Sequence, residues 1–284
     1  MNPLIAKFEK ALHRPCRKED PFRFDRFGLL ECEIPAGYKF NVFKPPQESS
    51  EDYLKAAEER AVALDGCAVA WSGGVDSTLL LALFMSVGAK VTPVFFTDAG
   101  DLPKTELSVF VRQHFPLQVM QTSDWTGDII TGGAADVMWN SVARPIGSTR
   151  HWRGSDGKHY RLYRDIPRIP AADYVWEILQ DEDLYRMYNS YVSAMYLQME
   201  DNLDVLRMVN LCFNFYRYTL DNIISRRLGP NAETFYNTQK FTDICFTQYW
   251  KRQCLPVPAP KEKEVKYIAK VFGKDFGVVK NGDW

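Results

Sequence analysis

The chain has 284 residues, of which 46% are hydrophobic, so it can bury a substantial core as one large domain or two modest ones. Its formal net charge of −1 disfavours a surface that generally coats nucleic acid or membranes, although a local basic patch is compatible with it. No apolar run approaches the ~20 residues that span a bilayer, and the cysteines form no C-x-x-C pair, so we expect a cytoplasmic protein with buried thiols and without a zinc site.

Residues 1–49 predict a small N-terminal segment that contains β-structure. An amphipathic piece runs from Leu4 to Leu12, and aromatic residues then alternate with polar ones around 22–24 and 37–43, which is typical of strands. Prolines and serines at 45–50 mark a linker. We expect this segment to pack against the main domain rather than to form a separate functional module.

The stretch after the linker predicts a helix, a strand, a loop and a second helix. Helical periodicity covers Glu51–Leu64, with Ser49 or Ser50 as its N-cap. The apolar run Cys67–Trp71 predicts a strand, and a helix-forming stretch begins near Val75. Two glycines in the loop let N–H groups point inward, and the helix start adds unpaired N–H groups and a positive dipole end. The loop is therefore a candidate anion site.

The residues of this loop are Ser72, Gly73, Gly74, Val75, Asp76 and Ser77. Two hydroxyls supply donors, whereas the carboxylate would be repelled by bare phosphate and is best explained as a ligand of phosphate-bound Mg²⁺. The loop has no lysine, and the chain has no G-x-x-x-x-G-K-[ST] pattern, which excludes the β,γ-phosphate loop of kinases and GTPases. An ordinary strand-to-helix turn is the alternative interpretation.

The hexapeptide resembles the S-G-G-x-D-S signature of the N-type ATP pyrophosphatases, the PP-loop family. The resemblance implies an enzyme that splits ATP between the α and β phosphates, holds pyrophosphate in this loop and passes AMP to a substrate oxygen. Sulfur-inserting and deazaguanine-forming members commonly carry clustered cysteines, and this chain has no such cluster.

Alternating strands and helices continue from this loop and predict an α/β domain with a doubly wound, largely parallel sheet, adenine nucleotide alpha hydrolase-like by the resemblance. Strands are expected at Val91–Thr97, Leu117–Gln121 and Asp128–Thr131, with a helix at Thr105–Phe115. Ligands bind at the carboxyl ends of strands in such sheets. The backbone of Phe96, Thr97 and Asp98 is therefore a candidate adenine contact.

A second loop of small residues follows the last of these strands and ends in an acid. It comprises Thr131, Gly132, Gly133, Ala134, Ala135 and Asp136. It resembles the S-G-x-G-A-D-E loop of the synthetase domain of asparagine synthetases, β-lactam synthetases and lasso-peptide cyclases, but departs from it at Gly133, Ala134 and Val137. The resemblance implies that Asp76 and Asp136 bind Mg²⁺ and that Gly132 and Gly133 contact the nucleotide. A plain turn capped by Asp136 is the alternative.

Residues 150–164 are basic and aromatic and predict a β-hairpin around a glycine turn. Their cations are Arg150, Arg153, Lys158, Arg161 and Arg164. A hairpin that closes over the nucleotide site, one that contacts nucleic acid, and a solvated surface hairpin all remain open.

The rest of the chain is predicted to be largely helical. Residues 171–228 have the pattern of a helical acceptor subdomain, and Lys261–Phe272 predicts a terminal helix after a proline-rich spacer. Residues 234–243 loosely resemble the R-x-P-F-L-D segment near the acceptor pocket of asparagine synthetase-like proteins. Within it, Lys240 is a candidate cation for the leaving pyrophosphate, with Lys251 and Arg252 as alternatives and a plain surface lysine as the simplest explanation.

The sequence thus predicts an N-terminal β-containing segment (1–49), a PP-loop nucleotide-binding domain (50–143), a basic hairpin with a helical acceptor subdomain (144–254) and a tail helix (255–284). The predicted function is an AMP- and pyrophosphate-forming ligase that uses ATP and Mg²⁺ to adenylate a carboxylate or amide oxygen of a small molecule or peptide for attack by a nitrogen nucleophile. Since position 2 is Asn2 and not the cysteine of a glutaminase domain, we expect no glutamine hydrolysis. The alternatives are an enzyme that modifies a nucleic-acid base or its precursor, and a non-catalytic ATP-binding regulatory subunit.

Overall fold

The computed structural model of the chain describes residues 2–11, 25–30, 42–133, 152–153, 159–160, 167–214, 228, 232–250 and 262–277. The chain divides into two compact units. The first, which we call the sheet unit, comprises Ser50–Ala135, Thr219–Phe241 and Ala259–Trp284. The second, the helical unit, comprises Met1–Ser49, Asp136–Tyr218 and Thr242–Pro258.

The described helices are α1 (Pro3–Ala11), α2 (Tyr53–Ala63), α3 (Val75–Ser86), α4 (Glu106–His114), α5 (Ala171–Leu179), α6 (Glu182–Ala194), α7 (Asn202–Val209), α8 (Gln239–Trp250) and α9 (Glu262–Phe272). The described strands are β1 (Cys67–Ala70), β2 (Val91–Phe96), β3 (Gln118–Met120), β4 (Ile129–Thr131), β5 (Trp152–Arg153), β6 (His159–Tyr160) and β7 (Ala232–Thr234). Short 3₁₀ turns lie at Thr97–Ala99 and Thr122–Asp124, and a π-helical turn at Asn210–Asn214 follows α7.

The sheet unit is built on a five-stranded sheet in the order β3-β2-β1-β4-β7. All four strand pairs are parallel, and Ala70 of β1 is in register with Val94 of β2 and Thr131 of β4. The carboxyl ends of β1, β2 and β4 therefore lie at one edge of the sheet. The strand order reverses between β1 and β4, which makes that position the topological switch point where ligands bind in open α/β sheets. The predicted α/β class with a parallel sheet is confirmed.

Helix α3 connects β1 to β2 and forms the centre of the core of this unit. Residues Leu79–Phe84 of this helix are all buried, as expected for a helix that is apolar on every side. Helices α2 and α9 both pack against α3, so the predicted terminal helix is docked on the sheet unit. The ring of Phe110 in α4 lies 4.6 Å from that of Phe272 in α9, which extends the apolar contact to the fourth helix.

Two local features of the sheet unit differ from the sequence prediction. The N-cap of α2 is Asp52, and the prediction of Ser49 or Ser50 is wrong, because the Asp52 carboxylate accepts hydrogen bonds from the backbone N–H groups of Leu54 (2.9 Å) and Lys55 (3.4 Å). Strand β7 is absent from the sequence prediction, because three residues are too few to show a period. It forms only by pairing with β4, about a hundred residues earlier in the chain.

The helical unit packs its described helices around a small aromatic core. The ring of Phe8 in α1 lies 5.8 Å from Tyr188 of α6 and 6.5 Å from Phe213 of the π-helical turn. The side chain of Asp25 is buried and accepts a hydrogen bond of 2.6 Å from the Tyr191 hydroxyl. The predicted helical pattern is confirmed for the described part of residues 171–228, whereas the strands predicted at 22–24 and 37–43 fall almost wholly outside the described residues.

Three described cysteines, Cys67, Cys212 and Cys245, form no disulfide bond, and the last two are buried, as the sequence predicts. None of the described helices is long and apolar enough to cross a membrane.

Candidate functional site

The loop after β1 has the backbone shape that its glycines predict. Gly73 has a φ of +79°, a conformation that a residue with a Cβ rarely adopts. Gly74 is the N-cap of α3 and has no side chain with which to cap the first helical turn. Helix starts of this kind, following a glycine turn, bind anions through their backbone N–H groups and dipole. The loop lies at the carboxyl end of β1, beside the switch point of the sheet.

The two serines hold this loop closed. The Ser77 hydroxyl accepts a hydrogen bond from the Ser72 N–H (3.1 Å), donates to the Gly74 carbonyl (3.2 Å) and lies 3.1 Å from the Ser72 hydroxyl. Just outside the loop, the Trp71 indole N–H donates to the Thr78 hydroxyl at 3.2 Å. The sequence predicts Ser77 as a phosphate donor, and the structure shows that its hydroxyl braces the loop. Side chains of the loop itself therefore fix its shape.

The second loop packs directly on the first. A Cβ placed on Gly132 would lie 3.0 Å from the carbonyl carbon of Asp76, 3.1 Å from its carbonyl oxygen and 3.1 Å from the backbone nitrogen of Ser77. Backbone atoms at these distances cannot move aside as a flexible side chain would, so a residue larger than glycine at position 132 would push the two loops apart by a few tenths of an ångström. The structure thus brings Gly132 of the second loop together with Asp76 and Ser77 of the first.

Strand β7 fixes the second loop from its other side. The Thr234 hydroxyl donates to the Gly133 carbonyl, and the Phe235 N–H donates to the Thr131 carbonyl at 2.9 Å. The hydroxyl of Thr131 is buried and has no hydrogen-bond partner among the described residues. A buried hydroxyl without a hydrogen-bond partner lowers the stability of the fold by about 1–3 kcal/mol. A ligand group that formed a hydrogen bond with this hydroxyl would remove that cost. Sequence reasoning missed Thr234, because only the pairing of β7 with β4 places it at the loop.

The predicted adenine contact lies at the carboxyl end of β2. Phe96 is buried there as the last residue of the strand, and Thr97 starts the 3₁₀ turn that follows. The Thr97 hydroxyl donates to the Met120 carbonyl (3.3 Å), and the Asp98 carboxylate accepts from the Thr122 N–H (2.7 Å). These contacts attach the turn to the end of β3. An adenine contact by this backbone remains a prediction.

Lys240 belongs to an ion-pair network in the sheet unit. Its ammonium group lies 2.6 Å from the Glu59 carboxylate and 3.0 Å from that of Glu51. The hydrogen bonds that Lys240 donates to Glu59 and to Glu51 raise the pKa of Lys240, and the bond that Glu59 accepts lowers the pKa of Glu59. A catalytic role for Lys240 remains a prediction. A pyrophosphate group would have to compete with these two carboxylates for the ammonium group.

The predicted metal site is described only in part. Asp76 lies in the first turn of α3, whereas Asp136 lies outside the described residues. Within the part of the chain that the structure describes, no cluster of three or more His, Cys, Asp or Glu side chains is arranged to hold a metal ion. Binding of Mg²⁺ by the pair of acids therefore stays a prediction.

The basic hairpin is confirmed as a pair of strands. Strands β5 and β6 are antiparallel, with Trp152 in register with Tyr160 and Arg153 with His159. The remaining residues of the 150–164 hairpin lie outside the described ranges. Contact of this hairpin with a nucleotide or a nucleic acid remains a prediction.

Comparison of the chain with protein-family models, with curated proteins and with solved structures gives no match. The resemblance to the PP-loop family therefore rests on the residues of the two loops. The structure places these two loops in contact through Gly132, at the switch point of a parallel sheet.

Proposed function

We propose that the chain is an ATP-dependent ligase with an adenine nucleotide alpha hydrolase-like fold, which forms AMP and pyrophosphate while it activates an acceptor in the cytoplasm. The observation that carries the proposal is the contact of Gly132 with the backbone of Asp76 and Ser77, which joins two candidate phosphate loops at one sheet edge. The acceptor is a small molecule or peptide that presents a carboxylate or amide oxygen.

The residues of the two loops fit the phosphates of ATP. The turn at Gly73 and the uncapped start of α3 supply backbone donors at one point, and the buried Thr131 hydroxyl supplies another polar group at the end of the neighbouring strand. The Asp76 carboxylate would repel a bare phosphate from this place, so it fits as a ligand of Mg²⁺. Asp136 is the proposed second ligand.

Bound Mg²⁺ would neutralise charge on the pyrophosphate as it leaves. The chain's own residues hold the pyrophosphate end of ATP in the Ser72–Ser77 loop while the acceptor oxygen attacks the α-phosphorus. The bond from the α-phosphorus to the bridging oxygen breaks, and pyrophosphate leaves. A nitrogen nucleophile then attacks the activated acceptor carbon and AMP departs. The chemistry needs no covalent intermediate on the protein. The loops therefore contribute by positioning ATP and by aiming preorganised backbone dipoles at its phosphates.

The test combines binding with product analysis. Titration calorimetry with inorganic pyrophosphate and with ATP, each in Mg²⁺, is expected to show binding at one site without any acceptor. ATP labelled at the α and γ positions, incubated with a panel of carboxylic acids and hydroxylamine as trapping nucleophile, is expected to give AMP and pyrophosphate in equal amounts. Stoichiometric ADP and orthophosphate, or failure of both ligands to bind, would overturn the proposal.

The two alternatives predicted from the sequence give different results in the same experiment. An enzyme that modifies a nucleic-acid base forms AMP only when a polynucleotide or base precursor replaces the carboxylic acid, and its polynucleotide binding weakens steeply with salt. A regulatory subunit binds ATP but forms no AMP with any acceptor.

A further inference from the structure

The connection between β2 and α4 passes beside the candidate phosphate loop. It leaves the 3₁₀ turn through Gly100, whose φ of +126° and ψ of −179° are available almost only to glycine. Three residues later, the Cγ atom of Pro103 lies 4.0 Å from the position that a Cβ of Gly73 would take. The ring of Pro103 therefore lies beside the loop, within the sheet unit.

Lys104 follows Pro103 immediately, and its backbone is restrained on both sides. Pro103 fixes its own φ near −65°, and Thr105 is the N-cap of α4, where its hydroxyl accepts a hydrogen bond from the Ser108 N–H at 3.3 Å. Consecutive Cα atoms are about 3.8 Å apart, and a lysine carries its charge on a flexible four-carbon stem. The ammonium group of Lys104 therefore has the reach to meet an anion held on the loop.

The charge of Lys104 is not compensated within the described part of the chain. Its side chain is exposed and has no hydrogen-bond or ion-pair partner among the described residues. Three other lysines of the sheet unit are paired with acids: Lys240 with Glu51 and Glu59, Lys263 with Asp52, and Lys274 with Glu106. The phosphate loop itself contains no lysine and carries one acid. Besides the proposed Mg²⁺, a pyrophosphate group bound there would attract a side-chain cation, and Lys104 directly follows Pro103, the residue that lies beside Gly73.

We propose that Lys104 binds the pyrophosphate end of the nucleotide on the Ser72–Ser77 loop. In this role Lys104 replaces Lys240, which the sequence predicts as the cation for the leaving pyrophosphate. This inference rests on the proposed function and deepens it. Lysine suits the task as a compact point charge, which tolerates the movement of a leaving group better than a fixed bidentate partner. Its place outside the loop also explains how a loop without lysine can hold a polyanion.

The test measures the binding of inorganic pyrophosphate in Mg²⁺ by titration calorimetry, so it does not depend on the acceptor. Lys104→Gln is expected to raise the dissociation constant about 10- to 100-fold, as the loss of a charge-assisted hydrogen bond would. Lys104→Arg, which keeps the charge, is expected to recover most of the affinity. Lys90→Gln is the matched control, because Lys90 is also exposed but lies just before β2, at the opposite end of that strand.

The outcomes separate this inference from the proposed function. If Lys104→Gln binds pyrophosphate within about twofold of the wild type, the role of Lys104 is refuted while the loop assignment stands. If Lys240→Gln weakens binding and Lys104→Gln does not, the cation is Lys240. If the wild type binds neither pyrophosphate nor ATP, the proposed function fails and this inference fails with it. Thermal unfolding of each variant without ligand, expected to match the wild type, excludes a folding defect.

Discussion

Replacing Gly132 by alanine tests the contact between the two loops. The new methyl group would lie 3.0–3.1 Å from three backbone atoms of Asp76 and Ser77, whereas non-bonded carbon atoms prefer about 3.5–4.0 Å. The backbone must therefore move apart by several tenths of an ångström. Overpacking of this kind costs about 1–3 kcal/mol, so we expect the free energy of unfolding in urea to fall by that amount.

The matched control is Gly88→Ala, just beyond the other end of α3. Gly88 has a φ of +69° and no atom within 4 Å of the position that an added Cβ would take, so alanine there costs about 1–2 kcal/mol through backbone strain alone. Both variants lose similar stability, but only Gly132→Ala displaces the loop. At a pyrophosphate concentration about 100 times the wild-type dissociation constant, the wild type and Gly88→Ala should each gain about 2.7 kcal/mol.

Gly132→Ala should gain much less from the ligand. If displacement of the loop weakens binding about a hundredfold, the gain under the same conditions falls to about 0.4 kcal/mol. The measurement is urea unfolding of the three proteins with and without pyrophosphate and Mg²⁺. Full ligand stabilisation of Gly132→Ala, or an unchanged free energy of unfolding without ligand, would refute the reasoning.

Three further predictions use single substitutions. Asp76→Asn should abolish Mg²⁺-dependent AMP formation with an unchanged circular dichroism spectrum, and AMP formation at the normal rate would show that the carboxylate is not a metal ligand. Ser77→Ala should lower the free energy of urea unfolding by about 1–3 kcal/mol, because the Ser72 N–H loses its acceptor, and a loss under about 0.5 kcal/mol would contradict the bracing role. Burial raises the pKa of Asp25 against the opposing hydrogen bond from Tyr191, so the folded state holds the proton more tightly than the unfolded state. As pH rises from the ordinary pKa of an aspartate to the raised pKa of Asp25, the free energy of unfolding of the wild type should therefore fall relative to that of Asp25→Asn. Urea titrations across that range measure it, and a rise in this relative free energy would contradict the reasoning.

The parts of the fold that the sequence predicts are those with local patterns. The strand before the first loop and the helix after it are apolar runs separated by glycines, and both lie where expected. Strand β7 and the Asp52 cap escape sequence reasoning for different reasons. A three-residue strand has no readable period and depends on a distant partner, while several polar residues near a helix start compete for the cap and only geometry selects one.

The candidate site shows the same division. Spacing of small residues predicts both loops, because glycine and helix-start chemistry act over a few neighbouring residues. It does not predict that Ser77 turns its hydroxyl to the loop backbone, that Thr234 reaches Gly133, or that Pro103 lies beside Gly73. The last two of these join residues that are distant in the chain and that the sheet brings together. The order of the strands within the sheet is not visible in any short motif.

Shape and charge at the phosphate loop can be separated by salt. The contact of Gly132 is steric, so added salt should leave unchanged the ratio of pyrophosphate affinities between the wild type and Gly132→Ala. The side chain of Lys104 is exposed, so its attraction to a bound anion is screened, with a Debye length of about 10 Å at 0.1 M and about 3 Å at 1 M ionic strength. The affinity ratio between the wild type and Lys104→Gln should therefore shrink toward one as potassium chloride rises over that range. A ratio for Lys104→Gln that stays constant would mean that the lysine does not act through its charge.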